Sequence, residues 1–320
     1  MKRILIQIFA WLSYYGGIDT LFYWLNRRAK RVLTFHNVLP DALWRPFANG
    51  VSHKESDFIA IINEVGRRYR FSTDLSDAST ATITFDDGYR NQYEVAGAVL
   101  EKRGIPAILF ISGDNAGTES PDDALVVDKL LHWIGYAPNE LIEGGRMRYW
   151  SRTVRPRFFA DTATKGKATL DWLCSLYPIE KIWEQLPPEY LRLRMTGIGE
   201  RELEELRQKG WLVGWHTKSH FPLAMLADAE ISNEIDSPRQ FRNIVFSYPY
   251  GETETVDERC IEIVRNLGYP CAVSNQMGST ALTGNFFRPR MPLPSDKYRL
   301  HMRLSGLEHF IKTRKLLPIT

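Results

Sequence analysis

Short apolar runs alternate along the chain with longer segments in which apolar residues recur every three to four positions. The short runs predict β-strands, which cover residues 31–36, 81–86, 107–112, 212–216, 244–248 and 271–274. The longer segments predict helices, which cover residues 54–68, 90–103, 200–209, 228–241 and 254–267. Ser52, with Glu55 three residues later, predicts the N-terminal cap of the first helix. Repeated strand–helix alternation is typical of α/β proteins with a parallel sheet, either open or closed into a barrel.

One long segment interrupts this alternation. Residues 113–195 separate the third predicted strand from the fourth, which is far longer than an ordinary connection. We interpret the segment as a mostly helical insertion, either a lid or substrate platform at the functional face or a cover over core surface. The predicted organisation is an N-terminal segment (residues 1–30), a barrel domain (31–300) that carries the insertion, and a C-terminal helix or tail (301–320).

The composition is that of a globular protein with a substantial core. A hydrophobic fraction of 44% and a charged fraction of 25% argue against a disordered chain and against a multi-span membrane protein. The formal net charge is only +3, which argues neither for nor against a nucleic-acid partner, and we expect none. The three cysteines have no CxxC spacing, which argues against a disulfide framework or a cysteine zinc cage.

The first 31 residues combine an aromatic, amphipathic sequence with positive charge. Residues 4–18 are uncharged but fall short of the roughly 20 apolar residues that a membrane-spanning helix needs. Bulky Tyr14 and Tyr15 stand where a signal-peptide cleavage site would need small residues. The segment fits either a helix that contacts a membrane interface peripherally or one that packs over an end of the barrel. We expect a protein of the cytoplasm or of the periphery of the inner membrane.

Polar clusters follow three of the predicted strands at their carboxyl ends. They are TFDDG at residues 84–88, HTKSH at 216–220 and SYPYG at 247–251. His36 ends the first predicted strand in the same way. Active sites of parallel α/β barrels lie at this end of the strands, so we expect the clusters to converge.

His216 and His220 are four residues apart, a spacing that places both rings on one face of a helical turn. Two imidazoles and one carboxylate supply three ligands and leave a position for water, the composition of a catalytic zinc site. Such a ligand set favours one Zn²⁺ ion and also accepts Ni²⁺, Co²⁺ or Fe²⁺. An isolated histidine pair is more often structural. The position of His216 directly after a strand favours the metal site here.

The pair Asp86–Asp87 reaches a single site only if the backbone turns, because neighbouring side chains of a strand point to opposite faces. Gly88 permits such a turn. One carboxylate can then bind the metal while the other acts as a general base. The two carboxylates of a glycosidase, about 5–9.5 Å apart, fit neighbouring residues poorly.

These motifs resemble those of a known family. TFDDG at 84–88 and HTxxH at 216–220 look like the first two signature motifs of the polysaccharide deacetylase family, the NodB-homology domain of carbohydrate esterases, and FSYPYG at 246–251 looks like the third. The resemblance covers about residues 31–294. It implies a distorted, TIM-like (β/α) barrel and metal-dependent removal of acetyl groups from N-acetylated sugars.

The resemblance also implies roles for individual residues. Asp86 corresponds to the general base, and Asp87, His216 and His220 correspond to the ligands of one divalent metal ion. The backbone N–H of Tyr250 would help the metal to stabilise the oxyanion that forms when the amide is attacked.

Two features depart from the family pattern. Ser247 stands where the third motif often has an arginine that orients the base. Arg290 is our candidate to replace that arginine, with Arg288 as the less favoured one. The late L-x-H motif that supplies a general acid has no match after residue 270. His36 is our candidate acid, because it ends a strand and its pKa range suits the task, although a structural histidine at the rim is an open alternative.

We therefore expect a metal-dependent hydrolase that removes acetyl groups from an N-acetylated sugar, polysaccharide or glycoconjugate, in bacterial envelope or exopolysaccharide metabolism. Its substrate would be a carbohydrate or a glycolipid. In this hypothesis Asp86 takes a proton from metal-bound water, which attacks the acyl carbonyl. One alternative is a catalytically inactive carbohydrate-binding homologue, suggested by Ser247 and by the missing late histidine. Another is a non-haem iron oxygenase, since two histidines and one carboxylate also form that site. A second carboxylate beside the ligand favours hydrolysis.

Overall fold

A computed structural model describes residues 2–46, 52–276 and 284–318 of the chain. Its strands are short, and most of their residues are buried. In the described residues the strands are β1 (Arg31–Phe35), β2 (Asn37–Leu39), β3 (Ser52–Lys54), β4 (Arg70–Phe71), β5 (Thr80–Phe85), β6 (Ala107–Ile111), β7 (Leu212–Trp215), β8 (Phe246–Ser247), β9 (Ala272–Ser274), β10 (Arg288–Pro289) and β11 (Met291–Pro292).

Helices precede, connect and follow these strands. In the same residues the α-helices are α1 (Lys2–Tyr15), α2 (Ile18–Leu25), α3 (Glu55–Gly66), α4 (Ala98–Glu101), α5 (Val126–Tyr136), α6 (Arg146–Tyr149), α7 (Arg155–Ala160), α8 (Lys167–Leu176), α9 (Glu180–Trp183), α10 (Pro188–Met195), α11 (Glu200–Gln208), α12 (Asp228–Ile235), α13 (Arg239–Arg242), α14 (Glu258–Asn266), α15 (Lys297–Leu304) and α16 (Leu307–Thr313). Two π-helical segments, Gln92–Gly97 and Trp150–Val154, run directly into α4 and α7.

The strands form an interrupted parallel barrel. The largest sheet has the order β11-β1-β5-β6-β7, with β4 beside β5, and a second sheet has the order β10-β9-β8; every pairing in both is parallel. A Cβ on Gly214 of β7 would lie 2.5 Å from the carbonyl oxygen of Val245, so the second sheet continues the ring beside β7. Arg290 alone separates β10 from β11, which closes the ring against β1. The fold is the predicted α/β, distorted (β/α) barrel.

Side chains of β5 alternate between the barrel interior and the surrounding layer of helices. Ile83 and Phe85 belong to the large hydrophobic core that the sheet shares with the helices. Thr84 lies on the opposite face and accepts a hydrogen bond from Arg290, as does the next residue of that face, Asp86. The strand alternation therefore carries Asp86 to the end of the barrel interior.

The six predicted strands are all present with ends within two residues of their predicted bounds, and the unpredicted strands β2, β3, β4, β10 and β11 are each two or three residues long. Three helix predictions were wrong at their ends. Ser52 lies in β3, so it does not cap α3, which begins at Glu55 after Lys54. The helix predicted over 228–241 is broken into α12 and α13, because Pro238 disfavours helical backbone just before it. α14 begins only at Glu258, since the Asp257 side chain caps it.

Most of residues 113–195 is helical and forms α5 to α10. Trp133 of α5 is buried at the centre of this region, and its Nε1 donates to the carbonyl oxygen of Tyr177 at 2.8 Å. α10 returns the chain to α11 and β7. The region therefore lies between two neighbouring strands of the barrel, β6 and β7.

The two ends of the chain pack together. α1 and α2 lie against α15, where the Tyr14 and His301 rings are 4.8 Å apart and Phe22 clusters with Met302. The predicted boundary at residue 301 falls inside α15. Among the described residues, no helix has the length and apolarity that crossing a bilayer requires.

Candidate active site

The chain leaves β5 through a turn that brings two carboxylates to one place. Asp87 (φ 81°) and Gly88 (φ 82°) both adopt the left-handed conformation, which is strained for a residue with a side chain. A Cβ on Gly88 would also lie 3.3 Å from Ile111. Because of this turn, Asp86 and Asp87 are both buried and point into the same region. This is the arrangement that the sequence predicted from Gly88.

The two histidines after β7 meet through an irregular loop. Thr217 (φ 65°) and His220 (φ 58°) are left-handed, and the Thr217 hydroxyl accepts a hydrogen bond from the His220 N–H at 3.1 Å. The predicted helical turn is therefore wrong, because a right-handed helix does not contain residues with left-handed backbone. His216 and His220 nevertheless converge, with ring centroids 5.0 Å apart.

Asp87, His216 and His220 bring three potential ligand atoms together. Oδ1 of Asp87 lies 3.2 Å from Nε2 of His220 and 3.6 Å from Nε2 of His216. One potential ligand atom from each residue lies within 4.8 Å of the others. Asp87 Oδ1 and His216 Nε2 are buried without a hydrogen-bond partner, which is costly unless another group pairs with them. The donor set and these unsatisfied atoms fit a divalent metal ion.

The tautomer of His216 suits a metal ligand. Its Nδ1 lies 2.7 Å from the carbonyl oxygen of Ser247, which can only accept, so Nδ1 carries the proton. The lone pair is then on Nε2, which faces Asp87. Burial lowers the pKa of His216 to about 4. The ring is therefore neutral at neutral pH, as metal binding requires.

Asp86 is held by a buried hydrogen-bond network. Arg290 donates from Nη1 to Oδ1 at 2.7 Å and from Nη2 to Oδ2 at 2.6 Å. The Ser247 hydroxyl lies 3.2 Å from Oδ1 and accepts from Arg290 at 2.9 Å. Burial alone would raise the pKa of Asp86, but the charges of Arg290 and of nearby histidines lower it to about 2. Asp86 is therefore an oriented anion.

The structure distinguishes between the two candidate arginines, because only Arg290 contacts Asp86. Arg290 reaches Asp86 because it lies where the chain passes from one sheet to the other, between β10 and β11. Arg288 instead donates to the carbonyl oxygen of Leu75 at 3.2 Å and to the Asn285 side chain. The Arg290 guanidinium therefore lies beside Ser247, the position in the third motif where the sequence has no arginine.

His36 and Tyr250 complete the set of predicted residues. Nε2 of His36 lies 3.5 Å from Oδ2 of Asp86, and its side chain is 17% exposed. The Tyr250 ring packs on His220 with centroids 4.9 Å apart, and its backbone is left-handed (φ 59°). All of the predicted site residues therefore lie in one region at the carboxyl ends of the barrel strands.

An open cleft of about 970 Å³ leads to this region. Side chains of the site itself form part of its lining (His36, Asp87, His220, Tyr250). Further lining residues come from other parts of the chain: Trp44, Lys54, Asp57, Asp128, Leu131, Trp150, Arg155, Glu252 and Glu254. Aromatic side chains therefore lie beside hydrogen-bonding groups in the cleft. This combination suits a ligand that has both an apolar ring face and hydroxyl groups.

Sequence reasoning missed several residues that support or line the site. Asp128 of α5 lines the cleft and pairs with Arg194 of α10, and both are buried. Gln92 donates to the carbonyl oxygens of His36 and Asp86 from behind the site. The sequence contains one signal for these residues: each is a charged or amide residue within a helix pattern that is otherwise apolar. That signal does not tell which distant strand end each residue meets.

The fold and the site together define a class of protein: a parallel (β/α) barrel with a buried Asp–His–His group where its strands end. Residues 75–272 match the family model described as polysaccharide deacetylase. The match spans more than half of the chain, and the chain belongs to this family. Membership supports a hydrolase that deacetylates sugar polymers.

Two solved structures are similar to this fold. Streptococcus pyogenes deacetylase PplD, in complex with acetate, superposes with a TM-score of 0.52 at 14% identity, over 86% of this chain and 97% of that one. IcaB from Ammonifex degensii superposes with a TM-score of 0.51 at 15% identity, over 87% and 97%. At such identities the likeness establishes the fold alone. No curated protein matches the chain in sequence.

Proposed function

We propose that the protein is a metal-dependent deacetylase of N-acetylated sugars or their polymers. One observation carries the proposal: Asp87, His216 and His220 meet beside a second carboxylate, Asp86, that Arg290 holds in place. A ligand set with an oriented carboxylate next to it is suited to hydrolysis, because one group of residues binds the ion while the other takes up a proton.

Asp87, His216 and His220 would hold one divalent ion, with Zn²⁺ favoured and Ni²⁺, Co²⁺ or Fe²⁺ also accepted. When bound, such an ion polarises a carbonyl oxygen and lowers the pKa of water. The unsatisfied buried atoms of Asp87 and His216 support this assignment.

Asp86 acts as the general base toward the attacking water. Its carboxylate is ionised and fixed by two hydrogen bonds from Arg290, so it accepts the proton without first reorienting. Ser247 completes the support through its contacts with both side chains. Arg290 is therefore a positioning residue, which acts on the substrate only through Asp86.

His36 acts as the general acid that protonates the leaving amine. Its Nε2 lies 3.5 Å from Asp86 Oδ2, so the acid and the base are neighbours, and His36 itself lines the cleft. The partial exposure of His36 leaves it accessible to the sugar nitrogen. The backbone N–H of Tyr250 donates to the oxyanion, while the Tyr250 ring packs on His220.

The binding-protein alternative loses its main support. It rested on Ser247 and on the missing late histidine. Arg290 and His36 both lie against Asp86, so each group that the sequence motifs lack has a substitute in space. This favours the enzyme over an inactive homologue.

Acetate release from oligomers of N-acetylglucosamine tests the proposal. Asp86→Asn and His216→Ala should each lower the rate by about a thousandfold, since one removes the base and the other a ligand. Asp171→Asn, at an exposed position of α8, is the matched control and should keep the parent rate. Chelation should abolish acetate release, and one of the four divalent ions should restore it.

Two results would contradict the proposal: full activity of either site variant, or full activity after chelation. Oligomer binding without acetate release, with each of the four metals supplied, would instead favour the carbohydrate-binding homologue.

A further inference from the structure

α1 presents an apolar face to solvent. Leu5, Ile8 and Leu12 follow one another at helical spacing, and their side chains are 59%, 51% and 53% exposed. An amphipathic helix of a soluble domain normally buries such a stripe against its core. Here the stripe is left uncovered from Leu5 to Leu12.

The opposite face of α1, which packs on the domain, is small and polar. Gln7 donates to Asp296 at 2.6 Å, and Ala10 is fully buried. Ser13 donates to the carbonyl oxygen of Ala10 and contacts the buried carboxyl of Asp19. The helix is thus held in place by its less apolar side. The outward direction of the leucine stripe is set by these specific contacts.

α2 extends the same surface and adds positive charge. Ile18, Leu21 and Trp24 are 40%, 53% and 59% exposed. The guanidinium of Arg27 lies 4.7 Å from the centroid of the Trp24 ring, and Arg28 is exposed beside it. We name this surface the α1–α2 face, defined by Leu5, Ile8, Leu12, Ile18, Leu21 and Trp24.

We propose that the α1–α2 face binds the surface of an anionic lipid bilayer. Exposed apolar side chains can enter the acyl region, while tryptophan and arginine occupy the headgroup level. The only acidic residue among positions 1–31 is Asp19, which is buried, so the segment presents only positive charge to a membrane. A second copy of the chain would bring Arg27 and Arg28 of both subunits to one interface, which favours an anionic partner over a dimer.

The bound orientation places the cleft near the bilayer. Ser295 lines the cleft, and the next residue, Asp296, accepts the hydrogen bond from Gln7 of α1. The wall of the cleft is therefore joined directly to the docking helix. Together with the proposed function, this favours a glycan carried at a membrane surface as the substrate; the docking itself does not depend on that activity.

Cosedimentation of the full chain with vesicles tests the docking. The parent protein should bind vesicles of phosphatidylglycerol and phosphatidylcholine in equal parts, and bind pure phosphatidylcholine vesicles less well. Leu12→Glu should lower the partition coefficient by about tenfold or more, because it replaces an apolar side chain that would enter the acyl region of the bilayer with a charged one. Leu176→Glu is the matched control: Leu176 is 44% exposed, lies on α8 and should leave binding unchanged.

A charge variant gives a second measurement. Arg27→Gln with Arg28→Gln should weaken binding to the anionic vesicles by about fivefold for each arginine, and added salt should remove this difference. Equal binding by Leu12→Glu and the parent would overturn the proposal. So would a dimer in sedimentation equilibrium that Leu12→Glu dissociates, combined with no vesicle binding by the parent.

Acetate release from a soluble oligomer separates this proposal from the proposed function. Leu12→Glu should release acetate at the parent rate while binding vesicles poorly. An inactive parent that still binds anionic vesicles would contradict the deacetylase proposal and leave the docking proposal supported.

Discussion

At the scale of single residues, the unusual feature is the source of the arginine that holds Asp86. The position within the third motif is Ser247, and Arg290 arrives from a strand junction 43 residues later in the chain. Both side chains are fully buried, so neither can be replaced by water without a large cost. The carboxylate is thus supported by one short side chain from β8 and one long side chain from the junction between β10 and β11.

Arg290→Gln should lower kcat for acetate release by about tenfold to a hundredfold and change KM little, because Arg290 acts through Asp86 and does not touch substrate. It should also destabilise the fold by about 3–5 kcal/mol, since Asp86 is left buried without its partner. Steady-state kinetics and urea denaturation measure the two effects.

Arg288→Gln is the control for this prediction, because the Arg288 side chain donates to Leu75 and Asn285 and not to Asp86. It should keep the parent kcat. If Arg290→Gln does not fold, Arg290→Lys retains the charge but not the bidentate pair, and should show a smaller loss of kcat. Parent kinetics in Arg290→Lys would speak against the positioning role.

At the scale of elements, buried polar groups connect helices α5 and α10, which both belong to the segment between β6 and β7. His132 of α5 lies 2.7 Å from the carbonyl oxygen of Asp128 and 2.9 Å from the hydroxyl of Tyr190. Burial lowers the pKa of His132 to about 3, and the charge of Arg194 acts in the same direction. The folded region therefore keeps this histidine neutral.

Acid should destabilise the protein through His132. Between pH 6.5, where an unfolded histidine titrates, and pH 3, the unfolded chain binds one more proton than the folded chain, so the free energy of unfolding falls as the pH falls. The contribution of His132 to the free energy of unfolding is fully present above pH 6.5, and about 2 kcal/mol of it should be lost by pH 5. Urea denaturation at pH 7 and pH 5 measures this loss.

His132→Gln should show a smaller loss between the two pH values, because glutamine does not titrate. The carboxylates contribute equally to both proteins, so the difference between parent and variant isolates the histidine. An identical loss in parent and variant would show that His132 does not control the acid sensitivity.

At the scale of the whole molecule, the proposed metal site connects strands that the sheet itself joins only indirectly. Asp87 follows β5, while His216 and His220 follow β7, and β6 lies between them. An ion held by all three side chains would tie these strand ends together. It would also pair Asp87 Oδ1 and His216 Nε2, which are buried without a hydrogen-bond partner in the folded chain. The unfolded chain has no such preformed site.

Metal removal should therefore lower thermal stability as well as activity. Calorimetry should show a Tm several degrees higher with Zn²⁺ well above its dissociation constant than with a chelator, since the ion binds the folded state preferentially. His220→Ala should abolish the difference. A Tm shift of parent size in His220→Ala would place the ion elsewhere.

The motifs and the longer strands were predictable because their signals are local. An apolar strand followed by Asp86, Asp87 and Gly88 predicts a turn at the end of that strand whatever the rest of the chain does. The same holds for His216 after β7. For these residues, chain direction and strand alternation already define which end of the barrel they reach.

Other features depend on contacts between distant segments. Nothing near Arg290 in the sequence marks Asp86 as its partner, and the two are joined only because the strand ladder changes sheets at that residue. The left-handed backbone of Thr217 and His220 replaces the expected helical turn for a similar reason, because such backbone persists only where the surrounding tertiary structure holds it.

The sequence by itself determined the α/β class with a parallel sheet, the strand ends that carry chemistry and the residue types able to bind a metal, because each follows from short-range periodicity and backbone preference. Only the tertiary structure decided which arginine supports Asp86, that Asp128 and Trp150 line the cleft, and that α1 turns its leucines outward. Those outcomes depend on the sum of packing and hydrogen-bond energies over residues far apart in the chain, which no local pattern encodes.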